Sequence, residues 1–273
     1  MCKVRFCLPL GYSLSLLGED MSRRALQNLL GVALIDRDFC EELLTKRRLA
    51  LLDEFGLTDE ERELVISIKA DSIQDFAEQL YGWLQSREDF KAVRSAYTIS
   101  MKALSGEKNA HKTLFDLDIF LVESLALGIL RAYEIKEPPV PIRRMIKIQS
   151  PLSIFKHLNL LELRLGLYDV AYRSLPNGSR VIVVDLNYPF TIQRTGVARE
   201  LYVAFCRSPR AAELHWPDRE QPNGCSDFFA RCLMMPAAWV EWAYTADTSL
   251  ESVAERFGVP IQIASQRLQE LEY

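Results

Sequence analysis

The sequence is poor in the residues and motifs that carry the commonest enzyme chemistries. It has three histidines in 273 residues, and it lacks the H-E-x-x-H motif with which a helix of a zinc peptidase holds its metal. Neither G-x-G-x-x-G nor G-x-x-x-x-G-K occurs, so no phosphate-binding loop is indicated. No serine or cysteine is grouped with a base and an orienting residue, as a nucleophilic triad requires.

Neither the cysteines nor the charged residues form a recognisable functional pattern. The six cysteines form no C-x-x-C pair and no disulfide framework of a small secreted domain, and they lie at positions 2, 7, 40, 206, 225 and 232. Reduced thiols in a cytoplasmic protein are the simpler interpretation. The net charge of −4 comes from interspersed acidic and basic residues, so we expect neither a nucleic-acid footprint nor a basic membrane patch.

No uninterrupted apolar run is long enough to cross a membrane. The most apolar stretch, Leu117 to Tyr133, contains Asp118, Glu123 and Arg131, so it predicts a buried core helix. The first twenty residues have Lys3 ahead of an apolar run, as a secretory signal does, but no small-residue cleavage site follows. We therefore interpret residues 1–20 as a loose tail or a mis-called start.

Residues 21–135 have the pattern of a small helical bundle. Ser22 can cap a first helix, and Gly56 suits the left-handed residue that closes a second helix spanning about Asp38 to Phe55. Thr58 and Glu61 have the spacing of a capping box, which begins a third helix. Further helices follow, with "SGEKN" as a loop among them. The short joints predict an N-terminal helical domain.

Two segments of this region, "MSRRALQNLLGVALIDRDFCEELL" and "LALLDEFGLTDEERELVISIKADSIQDFAEQL", carry a resemblance of their own. They resemble the small helical, leader-like domains found near ribosomal peptide natural-product clusters. A generic helical adaptor is the alternative that we favour for this segment.

A second domain is predicted from Glu137 to Tyr273. The prolines of "EIKEPPVPIRR" favour an extended linker, and helical character returns from Ile142 to about Leu158. The stretch "GLYDVAYRSLPNGSRVIVVDL" alternates apolar and polar residues around a Pro-Asn-Gly turn, which predicts a β-hairpin. The amphipathic helices around Ala198 to Phe205 and Phe228 to Met235 must cover its apolar face. The expected fold class is α+β and mostly helical, with a helical bundle followed by a small sheet covered by helices.

The region after Pro138 resembles the ImmA/IrrE family of metallopeptidases through five motifs in the same order. They are a Pro-Pro entry, a hairpin with a hydrophobic second strand, an active-site helix, a downstream helix and a closing helix pair, here "EPPVPIRRM", "GLYDVAYRSLPNGSRVIVVDLNYP", "FTIQRTGVARELYVAF", "CSDFFARCLMMP" and "SVAERFGVPIQIASQRLQEL". The resemblance implies a zincin-like domain and, in an intact member, a zinc endopeptidase that acts on transcriptional regulators.

The metal ligands that the resemblance implies are missing. The family's two histidines fall on Arg199 and Val203, and neither side chain has a lone pair for a metal. The catalytic glutamate is present as Glu200, which we interpret as a vestigial general base. No glutamate begins the downstream helix, where Cys225, Ser226 and Asp227 stand. We expect no metal cofactor, a pocket formed by Arg199, Tyr202, Val203 and Asp227, and a contact from Arg199 to Asp227 in place of the metal's charge.

Two alternatives remain open. Cys206, His215, Cys225 and Cys232, with Asp227, could form a relocated zinc site, which would make the protein an active metallo-endopeptidase with rearranged ligands. Alternatively, the closing helix pair could be a DNA-binding helix-turn-helix, whose second helix carries Gln262, Ser265, Gln266 and Arg267. That helix has one basic residue and no flanking cluster, so nucleic acid is not the expected partner.

The downstream helices carry an aromatic-rich stretch, "DFFARCLMMPAAWVEWAY". Its apolar residues, which include Phe229, Leu233, Trp239 and Trp242, have helical spacing and are more typical of a core than of a ligand cage. An exposed part of it would make a groove for a partner. The sequence therefore predicts a non-catalytic regulatory or binding module. Its expected partner is a protein or peptide, with a transcriptional regulator among the candidates. We expect no membrane contact.

Overall fold

The structure is a computed structural model that describes residues 14–45, 48–86, 112–147, 152–164, 166, 169–216, 223–244 and 248–271. Its N-terminal helices are α1 (Leu14–Ile35), α2 (Arg37–Leu44), α3 (Arg48–Leu52), α4 (Asp59–Ser67), α5 (Ile73–Ser86) and α6 (Lys112–Ala132). The helices that follow are α7 (Ile142–Lys147), α8 (Phe190–Cys206), α9 (Pro209–Glu213), α10 (Asn223–Met234), α11 (Ala237–Ala243), α12 (Leu250–Phe257) and α13 (Ile261–Glu270). The strands are β1 (Leu158–Leu163), β2 (Val170–Ser174) and β3 (Arg180–Asp185). The predicted α+β, mostly helical class is confirmed.

Local capping chemistry explains several helix ends. Thr58 Oγ1 accepts from the amide of Glu61, whose carboxylate accepts from the amide of Thr58 at 2.7 Å, so the predicted capping box is present. Gly56 has the left-handed φ of +62° that the sequence predicted for it. Helix α1, however, begins at Leu14 and not at Ser22. The predicted "SGEKN" loop lies outside the described residues.

Helices α1 and α6 pack backbone against backbone where two glycines meet. A Cβ on Gly31 would lie 2.1 Å from the carbonyl oxygen of Ser124 and 2.7 Å from the amide nitrogen of Gly128. Neither contact is possible for any larger residue unless the helices separate. The closest approach of the N-terminal helices therefore depends on both glycines.

The sheet has three strands in the order β1-β3-β2. The predicted hairpin is confirmed, because β2 pairs antiparallel with β3 and the turn between them places Gly178 at a φ of +81°. The helix expected from Ile142 to about Leu158 is described only as far as Lys147, and Ser153–Phe155 form a 3-10 helix. Strand β1, which pairs parallel with β3, was not predicted, because its six residues, "LNLLEL", are too few for periodicity to separate a strand from a helix.

Helices α7 and α8 both contact the sheet, and α7 packs on β1. Helix α8 packs on β2 and β3, while α10 packs on α8 and, on its other side, on α6. Buried apolar residues on both sides of Glu137 form one continuous core. The division into domains at that residue stays a prediction. Thr248 and Glu251 also have the spacing of a capping box, but α12 is capped instead by Ser249, whose hydroxyl accepts from the amide of Ser252.

None of the helices in the described part of the chain combines the length and the apolar character needed to cross a membrane.

Replacing Gly31 with alanine should destabilise the protein by about 1–3 kcal/mol or more, because the added methyl group meets backbone atoms that cannot move independently. Gly82 is the matched control, since it lies inside α5 with open space where its Cβ would be. Gly82→Ala should stabilise the protein by about 0.5–1 kcal/mol. Urea unfolding of the two variants measures both effects, and equal midpoints would contradict the proposed close contact.

Candidate functional site

The position of the site is set by a close contact between α8 and β2. A Cβ on Gly196 would lie 2.5 Å from Cγ2 of Val170 and 3.4 Å from Oδ2 of Asp169. The absence of a side chain at Gly196 lets the helix lie directly against the edge strand. Arg199 and Glu200, about one helical turn later, are thereby brought beside the start of β2.

Glu200 is bonded to the backbone of this edge strand. Its Oε2 accepts a hydrogen bond from the amide of Tyr172 at 2.9 Å. Hydrogen bonds to β3 alternate along β2, with Asp169 and Leu175 among the residues that face β3. The amide of Tyr172 therefore faces away from β3. Burial raises the pKa of Glu200, although the bond from Tyr172 and the charge of Arg199 oppose this effect.

Arg199 forms ion pairs with two aspartates from different elements. Its Nη2 lies 3.0 Å from Oδ2 of Asp169, which immediately precedes β2, and its Nε lies 3.8 Å from Oδ1 of Asp227 in α10. The contact with Asp227 was predicted from the sequence, and the shorter one with Asp169 was not. All three side chains are partly exposed, so the pairs contribute little to stability. Their effect is to place a permanent positive charge between β2 and α10.

The other two predicted pocket residues face the interior. Tyr202 is fully buried, its hydroxyl accepts from Nε1 of Trp216 at 3.1 Å, and its ring packs against Phe229. Val203 is partly buried and packs against the hydrophobic core. The structure therefore brings Arg199, Glu200 and Asp227 together at the site, while Tyr202 lies in the core beneath it.

The residues at the site do not fit a zinc ion. The guanidinium of Arg199 and the hydrocarbon side chain of Val203 offer no lone pair. Among the residues that the structure describes, no three histidine, cysteine, aspartate or glutamate side chains are grouped so that they could hold a metal.

The proposed replacement ligands lie in dissimilar environments. Cys206 and Cys232 are buried in the core, Cys225 is half-buried and His215 is exposed. Burial raises the pKa of the Cys232 thiol far above its ordinary value, which disfavours the thiolate that binds a metal. The structure does not unite this set around Glu200.

The helix pair that could be read as a DNA-binding motif is tied into the core. Arg267 is 0% exposed, donates to the carbonyl of Met235 at 3.0 Å, and pairs with Glu123 and Glu270, each at 3.2 Å. Its charge is thus not available to a DNA phosphate.

The aromatic-rich stretch is divided between core and surface. Phe229 and Leu233 are fully buried and Trp239 is partly buried. Trp242 is 65% exposed, with the guanidinium of Arg256 lying 4.1 Å from its ring centroid. Most of the stripe is therefore core, as its helical spacing predicted.

Two residues that position the site were not found from the sequence. Arg194 is buried in α8 and donates to the carbonyls of Gly258 at 3.0 Å and Val140 at 2.9 Å, so it ties α8 to the turn after α12 and to the segment before α7. Arg194 gave only a weak signal, because the same helix also contains Gln193, Arg199 and Glu200. Asp169 gave no signal, because its partner Arg199 is 30 residues away.

The stability of the protein should depend on pH through Glu200. Because the pKa of Glu200 is raised in the folded state, the stability that comes from its protonated form is present at low pH and is lost as the pH rises through that pKa. Glu200→Gln removes this titration, so the wild type should lose stability relative to the variant as the pH rises above the ordinary glutamate pKa of about 4.3. Urea unfolding at pH values below and above that pKa measures the difference.

The same substitution at Glu63, which is exposed on α4, controls for the loss of one negative charge. The prediction is contradicted if the difference in unfolding free energy between the wild type and Glu200→Gln does not change with pH, or changes in the opposite direction.

A comparison with protein-family models agrees with the motif order. Residues 156–269 match the model of the IrrE N-terminal-like domain. A search of curated proteins gives no significant match to the chain. With the sheet, the helix α8 and the downstream helices in place, residues 156–269 form an IrrE/ImmA-like metallopeptidase-family domain.

Proposed function

We propose that this protein is a non-catalytic, cytoplasmic IrrE-like module that binds an extended segment of a protein partner without cutting it. The observation that carries the proposal is Arg199, whose guanidinium occupies a metal-ligand position of the resembled family and pairs with Asp169 and Asp227. A cytoplasmic location is supported by the free thiols of the cysteines at positions 40, 206, 225 and 232.

The chemistry of the site supports the loss of zinc hydrolysis. An arginine stays protonated at every pH at which the protein is folded, so it cannot become a ligand. The carboxylate that would act as general base, Glu200, accepts the amide of Tyr172 instead of facing a polarised water. Asp169 and Asp227, the nearest other acids, are both paired with Arg199. A metal ion would have to displace the guanidinium of Arg199, which is covalently part of the chain, from these two aspartates.

The exposed edge of β2 supports binding of an extended segment. Strand β2 is at one side of the sheet, and the exposed residue Ser174 directs its amide away from β3, whereas the outward amide of Tyr172 is already bonded to Glu200. An extended peptide can add to such an edge through backbone hydrogen bonds. By analogy with the resembled family, which acts on transcriptional regulators, a regulator protein is the first candidate partner.

The rival functions have weaker support. A rearranged zinc hydrolase would recruit ligands from Cys206, His215, Cys225 or Asp227, but Cys206 is buried in the core and no three such side chains are grouped among the described residues. A DNA-binding regulator would need Arg267 at the surface, and that side chain is the largest of the fully buried ones among the described residues. No observation favours either function over the binding module.

The loss of the metal is tested by metal analysis of the purified full chain after incubation with Zn²⁺. We expect less than about 0.1 zinc per chain, and no cleavage of an unfolded protein substrate such as casein. The positive control is the double variant Arg199→His, Val203→His, which places two imidazoles one helical turn apart around Glu200. It should take up about one zinc per chain, with Asp227 nearby as a third ligand.

Stoichiometric zinc in the wild type, together with cleavage that Glu200→Gln abolishes, would overturn the non-catalytic assignment. Circular dichroism of each variant establishes that it is folded.

Binding at the β2 edge is tested by selecting peptides from a display library on the full chain. The amide of Ser174 faces away from β3, as that of Tyr172 does, so Ser174→Pro removes an outward donor without breaking the hairpin ladder. We expect it to weaken the selected peptides by about 10-fold or more. Ser174→Ala, which keeps the amide, should bind like the wild type.

Failure to select any peptide would contradict the binding role itself. Peptides that bind Ser174→Pro as well as they bind the wild type would exclude this edge as the binding surface.

A further inference from the structure

A cavity of about 570 Å³ lies away from the site, between the N-terminal helices and the IrrE-like domain. It is bounded by α1, by the second half of α6 with the residues after it, and by the start of α11. Apolar walls come from Leu127, Leu130 and Trp239. Arg24, Gln27 and other polar residues line the remainder. Its volume is within the range of about 300–1,000 Å³ that is typical of small-molecule sites, and such sites often lie between packed units of a chain.

The buried acidic residue that lines this cavity, Glu123, has its negative charge compensated by neighbouring side chains. Glu123 is buried, and its carboxylate accepts from Arg23 and Arg267, each at 3.2 Å, and from Gln27 at 2.9 Å. Burial alone would raise the pKa of Glu123, but the two guanidinium groups outweigh it and hold that pKa below the ordinary value. Glu123 therefore stays ionised, and its negative charge is compensated by Arg23 and Arg267, which do not line the cavity.

The cationic residues at the exposed side of the cavity have fewer carboxylate partners than Glu123 has cationic ones. Arg131 donates to the carbonyl of Glu54 at 3.0 Å and lies 4.2 Å from the ring centroid of Phe55. Lys136 is exposed. Within the described part of the chain, neither Arg131 nor Lys136 forms an ion pair with a carboxylate. Glu134 is the one acidic residue beside them in the described lining.

The electrostatic character of the cavity thus opposes that of the chain. The lining contains Arg24, Arg131 and Lys136 against Glu123 and Glu134, in a protein whose net charge is −4. Arg24 is paired with Glu241, outside the lining, and Glu123 is paired with arginines outside the lining. A positive region in an acidic protein attracts anions.

We propose that this cavity is a binding site for a small organic anion with an apolar body, such as a medium-chain carboxylate. The apolar body packs against Leu127, Leu130 and Trp239, and the anionic group lies toward Arg131 and Lys136. The site shares no residue with Arg199, Glu200, Asp169 or Asp227, so it stands independently of the function proposed for the domain.

Isothermal titration of the full chain with two amphiphiles of similar chain length tests this site. The probes are sodium decanoate and decyltrimethylammonium, each below its micelle concentration, so that alkyl chains of similar length carry head groups of opposite charge. We expect one decanoate site that binds at least about 5-fold more tightly than the cation does. Equal affinity for the two probes, or no decanoate binding up to about 1 mM, would overturn the proposal.

Two variants locate the binding. Leu127→Trp fills the apolar end of the cavity and should weaken decanoate by about 10-fold or more, while Lys136→Glu reverses a charge at its exposed side and should weaken decanoate by about 5-fold. Lys69→Glu, an exposed lysine that does not line the cavity, makes the same charge change and should leave the affinity unchanged. Lys136→Glu alters only an exposed side chain, so it remains informative if Leu127→Trp does not fold. Unchanged affinity in Lys136→Glu, or an equal loss in Lys69→Glu, would exclude binding at this cavity.

Discussion

The site depends on the direct contact between α8 and the edge strand β2. At Gly196 the helix lies so close to Val170 that a methyl group has no room. This contact brings the carboxylate of Glu200 to the backbone of Tyr172 and the guanidinium of Arg199 to Asp169. A larger residue at position 196 would separate the helix from the strand, and both contacts would lengthen together.

Around that contact, the domain keeps the geometry of a metallopeptidase-like fold with a different source of positive charge. Asp169 and Asp227 come from two different elements and pair with the side chain of Arg199, and the charge of Arg199 also acts on the neighbouring Glu200. In a metal site such acids face an exchangeable cation, whereas here the cation is part of the chain. Because the pairs are partly exposed, they add little to the free energy of unfolding. Under the proposed function, Arg199 supplies the positive charge of the site without activating a water molecule.

Helix α10 connects this site to the N-terminal helices. It supplies Asp227 to the ion pair with Arg199, and one turn later its Arg231 pairs with Glu270 at 2.6 Å in the interior. The neighbouring Arg267 joins Glu270 to Glu123 of α6. Buried ion pairs of this kind have large desolvation costs and tolerate few geometries, so they select one arrangement of the helices more than they stabilise it. The anion-binding cavity lies on the α1 and α6 side of the same cluster, with Glu123 common to both.

The sequence alone determined what depends on neighbours along the chain. The capping box at Thr58, the left-handed Gly56 and the hairpin turn at Gly178 were predictable, because each is governed by the backbone preferences of a few adjacent residues. The same is true of the missing imidazoles, since a residue type can be read directly. Tertiary structure decided the rest. Strand β1 required a partner supplied by β3, and Arg199 found Asp169 only through the register of β2 on α8. Arg267 became a core residue because two distant segments, α6 and α10 with the Met235 that follows it, contact it. Local preferences are encoded over a few residues, whereas burial and ion pairing depend on which distant segments the fold brings into contact, and one sequence pattern is compatible with several such arrangements.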